Sequence, residues 1–295
     1  MFLTGKIGCP RKLKSGYCDP EGVSIHPTFR RSLKCFRMVT IVYDGTFEGW
    51  LTAVFEIYEY KFVDVLIAPE KTFEPNVFNK HHQSYFQADK SARVWKGLAD
   101  KISAAGLGQI YKAFQSEEKG IENVLLTYVK RALKSKQSIE SDFSDPAVLK
   151  VAQTSRKVHR EKHRMEAFIR FQLTNGQLYY AVCQPDFNVL PLIEKHFKNR
   201  YADQRWLIYD SNRKYGIYYD LTNVETVTLS FDAKGNSGEN MVAIADEKEE
   251  LYQMLWQQYF TSVNIVARKN MKLHVQHMPK RYWKFLTEKQ PLPPS

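Results

Sequence analysis

Between residues 147 and 171 the chain runs AVLKVAQTSRKVHREKHRMEAFIRF. Val151, Val158 and Met165 recur at seven-residue spacing, which draws a narrow apolar stripe along a helix. Arg156, Arg160, His163 and Arg164 fall on the opposite side of that helix. The period then changes to two over Phe168-Ile-Arg-Phe-Gln-Leu, and Asn175-Gly176 follows as a tight-turn signal before a second apolar stretch, Leu178 to Cys183. A basic amphipathic helix feeding directly into a hairpin is the expected centre of the fold.

The flanking patterns fill in the rest. MVTIVY at 38–43 reads as a buried strand, and Asp44-Gly45-Thr46 as turn and cap chemistry, with Asp44 expected as the cap. Phe47, Leu51, Val54, Phe55 and Tyr58 give the recurrence of a core-facing helix. Phe62 to Ile67 is a second strand closed by Pro69, and residues 70–89 look polar and irregular. Residues 91–137 read as three helices separated by Gly106, Gly108 and Gly120. The polar stretch 137–145 is the best internal boundary, and Asp145-Pro146 is a good helix start. Beyond the hairpin, Val189 to Phe197 is a short helix, 205–209 and 215–219 are strands, and Val224 to Phe231 is a further one. Residues 233–240 form a loop and 249–262 a helix. A last helix starts at Pro279, with Lys280, Arg281 and Lys284 on one side and Tyr282, Phe285 and Leu286 on the other. The predicted class is α+β. An N-terminal strand-helix-strand unit and helical layer pack on a C-terminal, mainly antiparallel sheet with peripheral helices. The expected division is 1–37, 38–137 and 138–290, the last two packed as one compact unit.

Composition changes this picture at one place. The net charge is +11, but residues 1–37 hold eight Lys/Arg against two Asp/Glu and supply +6, leaving +5 for the remainder. That segment has no apolar periodicity. It is expected to be a disordered extension, or sequence lying upstream of a true start near Met38. Nothing resembles a secretory signal or an 18-residue apolar span, so a cytoplasmic protein is expected. Cys9, Cys18, Cys35 and Cys183 lack metal-ligand spacing, and Cys183 reads as a small core residue.

Five segments carry a family likeness: YDGTFEGWLTAVFEIYE (43–59), HRMEAFIRF (163–171), YYAVCQPDFNVLPLIEKHF (179–197), RWLIYDSNRKYGIYYD (205–220) and HMPKRYWKFL (277–286). Together they resemble a bacterial family described as a domain of unknown function and a probable DNA-metabolism or DNA-repair protein. The likeness covers about residues 38–290. Members of that family are typically encoded beside a radical-SAM protein, and related domains are fused to uracil-DNA-glycosylase-like domains. The resemblance implies a DNA-linked process and a radical-SAM protein partner, without naming a reaction or catalytic residues.

The chemistry-bearing residues fit that frame in two ways. Arg156, Arg160, His163, Arg164 and Arg170 around the central helix, Arg205 and Arg213 among the strands, and Lys280, Arg281 and Lys284 in the tail are candidates for binding nucleic acid. Tyr282 and Trp283 are candidates for stacking on bases, and His274 and His277 precede them. Alternatively, Asp44, Glu48, Asp186, Asp210 and Asp220 at strand and turn ends would serve a carboxylate-based, glycosylase- or nuclease-like enzyme acting on damaged DNA. Turn formation and capping explain the same aspartates without catalysis. His159, His163 and Glu166 do not match the metalloprotease signature, and flanking arginines repel a cation, so no metal is expected. No nucleotide loop, nucleophile elbow or cysteine cluster is present, so no cofactor is expected, and radical chemistry would reside on the partner. A DNA-repair or DNA-modification accessory protein is the leading expectation. A scaffold that binds a partner alone is the weakest of the three readings.

Overall fold

A computed structural model describes residues 38–75, 80–173, 178–228 and 275–289. The expectations for residues 1–37, the Asn175-Gly176 turn, the loop at 233–240, the helix at 249–262 and His274 lie outside these. Among the described residues no helix is long and apolar enough to cross a membrane.

The described residues begin with β1 (Val39–Tyr43), α1 (Phe47–Glu59) and β2 (Val65–Pro69), the expected strand-helix-strand unit. Thr46 caps α1, accepting from the Gly49 N–H at 2.9 Å. Asp44 is therefore not the cap. Its carboxylate accepts from the Thr46 N–H and hydroxyl at 2.9 and 2.8 Å, and so presets the turn one step earlier. β3 (Lys80–Gln83) falls inside the segment expected to be irregular. It pairs parallel with β1, giving a three-stranded parallel sheet in the order β2-β1-β3. Its sequence, KHHQ, has no apolar alternation. It is held by the β1 ladder, and by His82 Nε2 lying 2.9 Å from the buried carboxylate of Glu56 in α1.

Three helices follow: α2 (Ala88–Ala99), α3 (Ala104–Phe114) and α4 (Ile121–Lys134). Gly106 and Gly108 do not separate helices; both lie within α3, which Ser103 caps by accepting from the Gly106 N–H. The absence of a side chain at Gly106 admits Glu140, whose carboxylate accepts from the Ser103 N–H at 2.6 Å; a Cβ there would lie 2.1 Å from Glu140 Oε1.

α5 (Pro146–Phe168) runs 23 residues, about 34 Å at 1.5 Å per residue. Asp145 caps it, accepting from the Ala147 and Val148 N–H groups, with Pro146 in the first turn. Val148 and Val151 belong to a first apolar cluster with α1, α3, α4 and the parallel sheet. Val158 and Met165 belong to a second, with Trp206, Phe197 and Ile208. The single apolar stripe therefore serves both cores in succession. Helix persists through Phe168, so the expected alternation at 168–173 yields only a two-residue strand, β4 (Gln172–Leu173).

The second sheet runs β4-β5-β6-β7-β8, with β5 (Tyr179–Cys183), β6 (Trp206–Asp210), β7 (Tyr215–Tyr219) and β8 (Val224–Val227). Three of its four pairings are antiparallel, as expected. β5 and β6 pair parallel, with α6 (Leu190–Arg200) as the crossover between them. Gly216 in β7 sits where a Cβ would meet the Ile208 carbonyl oxygen at 2.8 Å. Replacing Gly216 with Ala is expected to lower stability by about 1–3 kcal/mol, because backbone must move to make room. Denaturant unfolding checks this; an unchanged midpoint would show the strands to be looser than described.

Candidate nucleic-acid interface on the central helix

One face of α5 is committed to the interior by Glu161. This carboxylate is only 1% exposed, because it lies beside Val158 and Met165 rather than among the arginines. Its Oε1 accepts from the Asp186 N–H at 3.0 Å and from the buried Tyr282 hydroxyl. Its Oε2 accepts from Arg281 at 3.2 Å and Arg164 at 3.4 Å. Arg281 also pairs with Asp186. The tail is thus bound to α5 through a buried acceptor, where the charge pattern alone suggests only a surface partner of the arginines. The helical spacing does hold the clue: Glu161 follows Val158 by three residues and precedes Met165 by four, which puts it at the edge of the buried stripe. Burial and the Glu161 contact push the Tyr282 hydroxyl pKa well above its ordinary value.

Arg213 makes a similar clamp. Its guanidinium donates to Asp210 (2.9 Å), Glu117 (2.8 Å) and the carbonyls of Pro185 and Asp186 (both 3.2 Å). Asp210 is fully buried and also accepts from the Asn212 and Arg213 N–H groups. Its charge and that of Glu117 raise the Arg213 pKa against the opposing effect of burial, the largest single influence. Asp186 and Asp210 do meet at Arg213, though Asp186 does so through its main-chain oxygen. Asp220 accepts from the Thr222 and Asn223 N–H groups at 2.7 and 2.6 Å. Asp44 and Glu48 sit at the start of α1, in the first core's elements. Asp44, Asp210 and Asp220 each organise a turn, as turn chemistry alone accounts for them.

The tail is a 3-10 helix, Lys280–Phe285, rather than an α-helix. Tyr282 is buried in the second core and so presents no face to a base. Trp283 is half-buried, with Lys280 and Lys289 ammonium groups 6.0 and 5.4 Å from its ring. Lys284 donates to Gln184. Arg170, just beyond the end of α5, donates to the carbonyls of Ala167 and Ile169, and to Glu288 at 3.0 Å. Arg205 is exposed just before β6. Of the sheet aromatics, Tyr180, Trp206, Tyr209 and Tyr219 are buried.

The outward face of α5 is different. Gln153, Arg156, Lys157, His159 and Arg160 line a shallow cavity of about 430 Å³ that is open to solvent, and all five are exposed. Lys157 reaches Glu118 at 3.0 Å, and Lys150 binds the same carboxylate; together they hold the Glu118 pKa below its usual range. Arg156 and Arg160 have no carboxylate partner among the described residues. One turn further on, His163 Nε2 lies 3.1 Å from His159 Nε2, and His163 Nδ1 lies 3.0 Å from Glu166. Desolvation, then the neighbouring His163, Lys112 and Lys162, push the His159 pKa down. Among the described residues, no group of three or more His, Cys, Asp or Glu is arranged to hold a metal ion. The arrangement can bind an anion by direct charge and hydrogen bonding, and His163 stands at the rim of the same face.

A search of curated proteins finds no match. Among solved structures, a pGpG-specific phosphodiesterase, PggH, from Vibrio cholerae aligns over 76% of this chain and 99% of its own, with 11% identity and a TM-score of 0.35, too slight a likeness to carry an argument. A family profile matches residues 119–288, from the start of α4 through the tail. By that match, which spans more than half of its length, the chain belongs to the family of the domain of unknown function DUF4130.

Proposed function

We propose that this protein is a nucleic-acid-binding accessory factor of DNA repair or DNA modification, acting in the cytoplasm beside a radical-SAM partner. It would seat the phosphate backbone on the outward face of α5. The observation that carries the reading is the cavity lined by Arg156, Lys157 and Arg160, with the two arginines lacking any carboxylate partner among the described residues. Unneutralised arginines at four-residue steps are suited to successive phosphates, because each phosphate they neutralise releases counterions. The family resemblance of the five sequence segments supports the DNA link and is the sole support for the radical-SAM partner. Arg164, Arg170, Arg213 and Arg281 enter this reading as cations already paired with carboxylates of the fold. Arg156, Arg160 and His163 are the leading contacts, with Arg205, Lys280 and Lys284 as secondary ones. The carboxylates contribute less to the reading, since Asp44, Asp210 and Asp220 are occupied in holding turns.

Fluorescence anisotropy with labelled single- and double-stranded oligonucleotides tests this. Binding should weaken steeply as salt rises. Absence of salt-sensitive binding, both alone and with the radical-SAM protein present, would overturn the reading.

A further inference from the structure

His159, which lines the α5 cavity, stands against His163. Their Nε2 atoms are 3.1 Å apart, four residues apart on one helix face, with ring centroids separated by 4.4 Å. Two neutral imidazole nitrogens at that distance either share one proton or share one metal ion. The other nitrogen of His163 is not idle. Its Nδ1 faces Glu166 Oε2 at 3.0 Å, and Glu166 is itself held by Lys162 at 2.6 Å. A carboxylate on Nδ1 fixes the proton there and leaves the Nε2 lone pair of His163 pointing away from it. That is the outer-shell arrangement that orients metal-ligating histidines and raises their basicity.

We propose that His159 Nε2 and His163 Nε2 form a two-imidazole site for a late first-row divalent metal ion, with Glu166 as the positioning residue behind His163. With metal–nitrogen bonds of about 2.05 Å, the 3.1 Å separation corresponds to an N–metal–N angle of about 98°. That lies between the right angle of square or octahedral sites and the tetrahedral angle. On binding, the metal replaces the proton between the two Nε2 atoms, and the proton of His159 passes to its own Nδ1. No net charge other than the metal's is added to the helix. His159 also lines the cavity with Arg156, Lys157 and Arg160, and the metal keeps further coordination positions that the two imidazoles do not fill. Water or an oxyanion fills them, which makes the site open and exchangeable rather than structural. Lys112, Lys162, Arg156 and Arg160 lie nearby and oppose a cation. They weaken the site without closing it, because Arg156 and Arg160 are exposed and screened, and Lys162 is neutralised by Glu166. Imidazole-only ligation selects Cu²⁺, Ni²⁺ and Zn²⁺ over Mg²⁺ and Ca²⁺. This inference does not depend on nucleic-acid binding, and its test contains none.

The test is a titration of the full chain, stripped with chelator, with Zn²⁺ against a chromophoric competitor, followed in parallel by imidazole ¹⁵N NMR. The wild type should take up one equivalent more Zn²⁺ than the His159→Ala/His163→Ala variant, with the ¹⁵N signals of both histidines shifting together. Mg²⁺ should leave them unmoved. Glu166→Gln should weaken Zn²⁺ about 10- to 100-fold while keeping the stoichiometry. Both histidines are exposed, so the double variant should melt as the wild type does. Equal uptake by wild type and double variant would overturn the proposal and leave a pair that merely shares a proton. So would loss of the site in one single-histidine variant but not the other, since that denies joint ligation.

Discussion

Replacing Glu161 with Ala is expected to destabilise the protein by about 3–5 kcal/mol. The reason is what the carboxylate leaves behind. Tyr282, 1% exposed, would lose its acceptor inside the second core, and the Asp186 N–H would lose its own. A buried polar group left unpaired costs about 1–3 kcal/mol each. Arg281 and Arg164 matter less, because both keep some access to water and Arg281 keeps Asp186. Glu161→Gln retains an acceptor for Tyr282 and should cost only about 1–2 kcal/mol. Chemical denaturation of both variants checks the order. If Glu161→Ala costs no more than Glu161→Gln, the carboxylate is not what fastens the tail to α5.

The second large effect concerns binding. Changing Arg156 and Arg160 together to Ala should reduce the slope of log affinity against log salt by about 2 for duplex DNA, one for each phosphate that is no longer neutralised. Changing both to Glu should weaken binding further by repelling the backbone. Neither variant should shift the melting temperature, since the two arginines pair with no carboxylate among the described residues. Anisotropy over a salt series, with melting as the control, measures both. Unchanged slopes would place the bound phosphates elsewhere on the chain.

The parts of this fold that were legible are those fixed locally. Asp145-Pro146 announces the start of α5, and the helix starts there, because cap and proline chemistry depend on a few adjacent residues. The stripe of Val151, Val158 and Met165 was equally plain, although the pattern did not show that it serves two cores. What stayed hidden depends on distant partners. KHHQ becomes a strand because β1 offers it a ladder and Glu56 receives His82. The parallel pairing of β5 with β6 leaves no trace in alternation; its signal was the intervening helix, Leu190–Arg200, which a hairpin would not need.

The candidate site followed the same rule. Net charge and helical spacing found the arginines of α5, but spacing does not tell a paired cation from an unpaired one. Arg164 and Arg160 differ by four positions and read alike. One shares Glu161 with the tail, while the other lines a cavity. Arg213 and Arg281 read as free cations by charge alone; Asp210 stands three residues before Arg213, while Glu117, Glu161 and Asp186 come from three other places along the chain.

The claim that the outward face of α5 receives a polyanion competes with one clear rival, the +6 carried by residues 1–37. Crosslinking the full chain to an oligonucleotide at saturation, with mass-spectrometric localisation of the adducts, separates the two. Adducts on peptides spanning residues 153–164, with Lys157 prominent, are the predicted result. Saturable binding whose adducts fall entirely within residues 1–37, leaving α5 unmodified, would contradict it.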